Sequence, residues 1–408
     1  MNIISIEING ETFSDFVSYK ISDNMENLVK TFTITMNKPA NSSVLNFSSL
    51  IVIYIDGEST LTGYIDEIRE EDSESASLVT IIGRDRMCDL VDSTIGAKIY
   101  KTPIDFVTLV REVLLYIGYQ VSFVNNFLSL LTNREFVQVL NLYGSIPTLT
   151  SEDDVVHRQS DSAFELIKRC ADIRQLLLTT DGDGNFIINK INAGKTNTVL
   201  YRVHNDNNNN IISSSTSTKI TDRYHKYVIQ SKANGKGGDA FPNITPFDQN
   251  RRLVKKGASS IESSTINGTA ISLDDEIRKT RVYTDYRQAS NAKSINKRAE
   301  WEKNVRAYKG FSYECRVFGF RQNLEPILSL NPLWKANYVA EVYDNVREVY
   351  GEYLIRSVTY TKSVQSGSFT EMSLVDERAY KEALFEPITR RLIGTREKNK
   401  LVISPFAI

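Results

Sequence analysis

The order of apolar and polar positions is that of a strand-rich chain interrupted by three helical stretches. Ile4, Ile6 and Ile8 alternate with polar residues up to Asn9-Gly10, a strong hairpin signal. Phe32, Ile34 and Met36 alternate in KTFTITMNKP until Pro39 ends the strand, and IVIYIDGE is a further strand with a turn at Asp56-Gly57. Residues 63–87, GYIDEIREEDSESASLVTIIGRDRM, read as a hairpin around a Ser-rich loop. Residues 351–380, GEYLIRSVTYTKSVQSGSFTEMSLVDERAY, have the same plan. Ile65-x-x-Ile68 answers Ile355-x-x-Val358, and each second strand runs into a charged close, Arg84-Asp85-Arg86 or Asp376-Glu377-Arg378. Two such hairpins suggest two related β-domains, although amphipathic hairpins also resemble one another by physics alone.

The period changes near Thr102. Phe106, Leu109, Val110, Val113, Leu114 and Ile117 stand at helical spacing over 104–117, with Thr102 as the expected N-cap and Pro103 at the first helical position. A second helix is expected over 161–178, capped by Asp161 or Ser162, and LLLTTDGDGNFIINKI then reads as strand, turn, strand. Residues 93–204 are thus an α/β insert. The polar stretch 205–218 reads as a linker or exposed loop, and 234–270 as a long loop. Residues 289–309 form the strongest helical pattern, with Ala292, Ile295 and Ala299 on one face and Trp301, Val305 and Tyr308 nearly opposite. A helix of this kind touches two bodies, either both in its own chain or one of them a neighbour. Strands follow at 311–320, 337–343 and 351–361. The expected domains are 1–92, 93–204, 205–385 and a C-terminal extension, 386–408.

At 408 residues, 41% hydrophobic and 24% charged, the chain has the make-up of a folded multidomain protein. A formal net charge of -1 argues against a protein built mainly to coat nucleic acid. Cys88, Cys170 and Cys315 lie far apart with no C-x-x-C pair, as in a protein made in a reducing compartment. The start lacks the basic and apolar regions of a signal peptide, and no run approaches the roughly 18–20 apolar residues of a membrane span.

Candidate chemistry is sparse. Asp181, Asp183 and Asn185 in DGDGN begin like a calcium loop, but Phe186 and Asn192 stand where an EF-hand needs Gly and Glu, so a hairpin turn is the better reading. His157, His204 and His225 are isolated, and neither a P-loop nor G-x-G-x-x-G nor G-x-S-x-G is present. Asp85, Asp89 and Asp92 are carboxylates in a short span, with Arg84 and Arg86 at hand to pair with them structurally. Arg251, Arg252, Lys255 and Lys256 could meet a phosphate backbone or an acidic partner. No catalytic, metal or cofactor site is readable, which points to assembly.

The run Gly83-Arg84-Asp85-Arg86-Met87-Cys88-Asp89-Leu90-Val91-Asp92-Ser93 resembles the G-R-D-x-x-x-D-L-V-D-x-S run of baseplate hub proteins of Mu-like contractile-tailed phages. Asp275-Glu276-Ile277-Arg278, Ala299-Glu300-Trp301-Glu302, Leu333-Trp334, Leu354-Ile355-Arg356 with Val358, and Thr370 with Leu374-Val375 follow in the family's order. The resemblance covers 60–92 and 275–380, is fainter over 100–190, and has no counterpart for 205–270. It implies an architecture similar to the central hub of T-even phages: mainly β, two tail-tube-like β-barrels plus a peripheral α/β domain. Three chains would make a pseudo-hexameric ring between a tail tube and a trimeric spike, beside other baseplate proteins, passing DNA in its lumen. The expected place is the virion baseplate, assembled in the bacterial host cytoplasm. Trp301 and Arg306 on the two-faced helix, with Arg84 and Asp85, are the candidate interface residues. Rival readings are the hub of a phage-tail-like bacteriocin or secretion machine, a tail-tip peptidoglycan hydrolase working through paired carboxylates, and a receptor- or carbohydrate-binding protein.

Overall fold

The computed structural model describes residues 4–380 apart from 40–44, 48, 75–76, 122–135, 150–154, 158–160, 175, 234–265, 287–291, 323–330 and 364–366. The first strands are β1 (Ile4–Ile8), β2 (Glu11–Phe13), β3 (Phe16–Asn24), β4 (Thr31–Asn37), β5 (Leu50–Ile55), β6 (Glu58–Asp72) and β7 (Ser77–Asp85), followed by helix α1 (Cys88–Asp92). Asn9-Gly10 and Asp56-Gly57 form the expected two-residue turns, with φ of 51° and 83°, and 50° and 80°. Next come β8 (Lys98–Ile99), α2 (Phe106–Tyr116), β9 (Gln120–Val121), β10 (Phe136–Val137), β11 (Val139–Asn141), β12 (Val156–His157), α3 (Ala163–Ile173), β13 (Leu177–Thr180) and β14 (Phe186–Asn189). The strands β15 (Gly194–Lys195), β16 (Leu200–Arg202), β17 (Ile211–Thr218), β18 (Lys226–Ala233), β19 (Ile266–Leu273) and β20 (Val282–Tyr286) precede helix α4 (Ala292–Lys309). The chain closes with β21 (Phe311–Phe318), β22 (Tyr338–Asp344), β23 (Val349–Ser363), β24 (Gly367–Val375) and a 3-10 turn, Glu377–Ala379.

Several local expectations need correction. Helix α2 starts after Asp105, whose carboxylate accepts from Thr108 N–H; Thr102 does not cap it, because the charged acceptor sits in extended backbone three residues later. Helix α3 starts as expected with Ser162 in a capping box with Glu165, but it stops at Ile173. The polar stretch 205–218 is not a linker. Asn209 and Asn210 side chains bond the backbone of 199–203 and tie the loop shut, and the Ser/Thr run after it is β17. The end of the expected long loop, 266–270, belongs to β19, and 234–265 lie outside the described residues.

Most strands join one sheet in the order β17-β21-β24-β23-β3-β4-β7-β6-β5-β1-β2, with β22 on β23 and β15 and β16 on β22. Among the described residues this series does not close into a barrel. Within it the same five-strand unit occurs twice. β3-β4-β7-β6-β5 and β17-β21-β24-β23-β22 have the same order, connectivity and register: Ile34 faces Ile81 and Tyr19, as Cys315 faces Met372 and Ser214. Each hairpin skips one residue at the same place, Asp66 in β6 and Arg356 in β23. Each first strand is bulged at the same place too, between Phe16 and Ser18 in β3 and between Ile211 and Ser213 in β17. The second unit differs in the link from first to second strand, where β18–β20 and α4 replace residues 25–30. Lys219 N–H closes the neck of that excursion on Gly310 O at 2.7 Å.

The apolar faces of both units share one core that includes Ile34, Ile81, Phe320, Trp334, Ile355 and Met372. A second core gathers Phe106, Leu109, Val113, Ile167, Cys170 and Phe186 of the insert with Leu28, Met87 and Leu90 from its borders. The units meet where β3 pairs antiparallel with β23, from Ser18–Ser363 to Asn24–Ser357.

Candidate assembly interface

The Gly83-Arg84-Asp85 run lies where β7 leaves the sheet for the insert. Gly83 is required there: a Cβ would stand 2.1 Å from Tyr64 O and 2.5 Å from the Phe32 ring. Arg84 then forks between two carboxylates, Nε on Asp66 at 2.6 Å and Nη2 on Asp92 at 2.7 Å. The bulge thus aims Asp66 at the arginine that holds the end of α1. Asp85 points the other way and is fully buried. Its carboxylate accepts from Lys30 N–H at 3.0 Å, Met87 N–H at 2.9 Å and the Thr180 hydroxyl at 2.5 Å. One side chain therefore pins the entry to β4, the entry to α1 and the end of β13. Burial pushes the Asp85 carboxyl up to about 6, held back by those donors and the Lys30 charge.

Asp89 accepts from the Tyr119 hydroxyl at 3.0 Å, and Asp92 is paired with Arg84. Each carboxylate of the 85–92 cluster is thus committed to a structural partner. The DGDGN segment is the turn of the β13–β14 hairpin. Asp181 accepts from Asp183 N–H and Asn185 N–H, and Gly182 O receives the hydroxyls of Ser59 at 2.9 Å and Thr62 at 2.7 Å. It is a dock for the insert on β6. No group of three or more His, Cys, Asp or Glu among the described residues is placed to hold a metal, and no described helix is long and apolar enough to cross a membrane.

Helix α4 lies between two parts of its own chain, the sheet of β18–β20 on one side and Glu26 with the 3-10 turn Glu377–Ala379 on the other. Arg306 lies over the Tyr283 ring at 4.3 Å and reaches Glu302 at 3.4 Å and Asp222 O at 3.4 Å. On the other side Arg378 lies over Tyr308 at 4.4 Å, and Lys309 pairs with Glu26 at 2.6 Å. The Trp301 side chain and Arg251, Arg252, Lys255 and Lys256 lie outside the described residues. Arg84 and Asp85 are adjacent, whereas Arg306 belongs to a separate place in the fold.

Sequence reasoning missed two features. One is the β3–β23 ladder, which joins distant segments with no local signal. The other is β17, a strand of mostly exposed Ser and Thr hidden behind an Asn run. Its Thr content was the available signal.

Residues 3–85 match the family profile "Mu phage baseplate assembly protein GpP-like, N-terminal". The whole chain is 19% identical over 387 residues to the baseplate hub protein gp44 of Escherichia phage Mu, covering 93% of this chain and 89% of the relative. Among solved structures, the 43 kDa tail protein of prophage MuSo2 from Shewanella oneidensis matches with a TM-score of 0.66 at 19% identity, over 93% of this chain and 99% of that one. A tail protein from Neisseria meningitidis matches with a TM-score of 0.68 at 14% identity, over 93% and 98%. These relatives are named as baseplate and tail proteins. The resemblance to Mu-like hub proteins drawn from the sequence motifs is borne out, and the fold is the mostly β fold of these tail proteins.

Proposed function

We propose that this chain is the hub of a contractile phage-tail baseplate, a structural adaptor between the tail tube and the central spike. In this reading residues 1–92 and 205–385 are two tail-tube-like β-barrel domains, 93–204 a peripheral α/β domain and 386–408 a C-terminal extension. Three chains bring six related domains into a ring, with the tube protein on one side, a trimeric spike on the other, other baseplate proteins around it and DNA passing through the lumen. The assembly resides in the virion baseplate and forms in the host cytoplasm. Trp301 and Arg306 of α4 and the half-buried Arg84 face partners, and the buried Asp85 supports Arg84 from behind.

The observation that carries this reading is the five-strand unit occurring twice in one chain with matching register and bulges. A threefold object built of such chains offers six similar surfaces to a sixfold tube. The hub relative, aligned over 93% of the chain, supports it. Light scattering behind size exclusion tests it. The expected mass is three times 46.3 kDa, and a chain that stays monomeric at every concentration overturns the ring.

A further inference from the structure

Among the described residues, the excursion over 219–310, which carries β18–β20 and α4, has an interior of its own. Its base is tied shut from within. Arg281 donates to the carbonyls of Ile220 and Thr221 and lies over the Tyr224 ring at 5.1 Å. Arg306 lies over the Tyr224 and Tyr283 rings at 5.6 and 4.3 Å, and Arg223 forks between Asp274 at 2.8 Å and Glu276 at 2.9 Å. Tyr227, Ile229, Ile277, Ala299 and Val305 are buried, yet none belongs to the apolar cores of the rest of the chain. Two strand ends connect the excursion, Thr218 and Phe311, which stand opposite each other in the β17–β21 ladder. A Cβ on Gly310 would stand 2.7 Å from Lys219 O, so the neck is as narrow as two backbones allow. A narrow neck between separate interiors is where domains hinge.

Beyond the neck, α4 packs closely on one element of the body, the 3-10 turn Glu377–Ala379. The side chains that meet there are ionic and aromatic. Glu26 accepts from Lys309 Nζ at 2.6 Å and from the Tyr380 hydroxyl at 2.9 Å. Lys309 also lies over the Tyr380 ring at 4.7 Å, and Arg378 over the Tyr308 ring at 4.4 Å. Lys309 and Glu26 are 39% and 33% exposed, so solvent weakens their pair. We propose that residues 219–310 are an arm hinged at 218–219 and 310–311, and that Glu26, Lys309, Arg378 and Tyr380 are the latch that holds it against the body. The latch joins the link between β3 and β4, the end of α4 and the C-terminal turn. That turn controls it, because displacing residues 377–380 removes every latch contact except that of Lys309 with Glu26. The hinge goes beyond the hub reading and does not depend on it.

The test uses the full chain with Lys279→Cys on the arm and Glu341→Cys on β22, both exposed positions, carrying nitroxide labels. The native cysteines are buried, which keeps them unlabelled. Diluting labelled chain in unlabelled wild-type chain makes the distance read by pulsed electron spin resonance one within a single copy. At low salt a single narrow distance is expected. In about 1 M salt, where charges are screened within about 3 Å, a second distance should appear. Lys309→Met with Arg378→Met keeps the side-chain stems, removes the charges and should bring out the second distance at low salt. Unchanged circular dichroism confirms that this variant folds, and the salt series needs no change in the latch. One narrow distance in both salts and in the variant overturns the hinge. A second distance that appears in salt but not in the variant overturns the latch.

Discussion

Asp66 and Arg356 occupy one position in two copies of the same hairpin: each is the residue its ladder skips, after Ile65 and after Ile355. Their side chains have gone separate ways. Asp66 receives Arg84, whereas Arg356 donates to the Ser373 hydroxyl at 2.8 Å. A bulge fixes twist and aim through the backbone alone, so the shared device survives opposite charges at the same site. Chance similarity between amphipathic hairpins accounts for alternation. It does not account for two matching bulges in units of matching strand order.

Arg84→Ala should lower stability by about 1 kcal/mol, because the pairs with Asp66 and Asp92 are partly exposed and solvent screens them. The loss should shrink in about 1 M salt. Thermal melts at two salt concentrations check this. A loss that is unchanged by salt would mean that Arg84 acts through packing of its stem.

Gly83→Ala and Gly10→Ala separate two uses of glycine. At Gly83 a Cβ would run into backbone and ring within 2.5 Å, and the sheet must shift, so a loss of several kcal/mol and poor soluble yield are expected. Gly10 has open space around it but a φ of 83°, so its alanine variant should cost only about 1 kcal/mol. Chemical denaturation of both variants checks the order, and equal losses would contradict it.

Local physics made the turns, the α3 cap and the alternating strands legible, because each is settled within a few residues. Asn9-Gly10, Asp56-Gly57 and Ser162 needed no tertiary context. The start of α2 was not legible, since Thr102 and Asp105 are both plausible caps and only the observed backbone chooses Asp105. Nor could residue spacing show that Tyr360 lies beside Ile21, or that Asp85 gathers hydrogen bonds from the distant Lys30 and Thr180. The resemblance drew attention to Arg84 and Asp85, yet the two turn in opposite directions, one to partners at the surface and one into the core.

On the proposed assembly, in which α4 faces a partner, Trp301→Ala should weaken assembly more than folding. The checks are mass by light scattering and the melting curve of the same sample. A variant that loses its helical and sheet signal would refute this. Arg306→Lys makes the companion case: it keeps the charge but loses the planar contact with the Tyr283 ring, and should cost about 1 kcal/mol of stability.

Asp85 makes a prediction with a definite sign. Its carboxyl is raised from 3.8 in an ordinary aspartate to about 6 in the folded chain, chiefly by burial. The folded state therefore holds the proton more tightly than the unfolded state. The contribution of Asp85 to stability is fully present below about pH 4 and is lost as pH rises through about 6, a change of about 3 kcal/mol. Other carboxyls slope the opposite way: Glu26, shifted down by Lys309 and Tyr380 against the opposing effect of burial, adds stability as pH rises. The clean readout is thus the cost of Asp85→Asn at each pH. Asparagine cannot titrate and cannot accept from Lys30 and Met87 on both of its arms, so the cost is positive throughout. It should be largest near pH 4 and smaller at pH 7. A cost that stays constant or grows with pH would mean that the three donors keep Asp85 ionised in the core, and that their hydrogen bonds outweigh its burial.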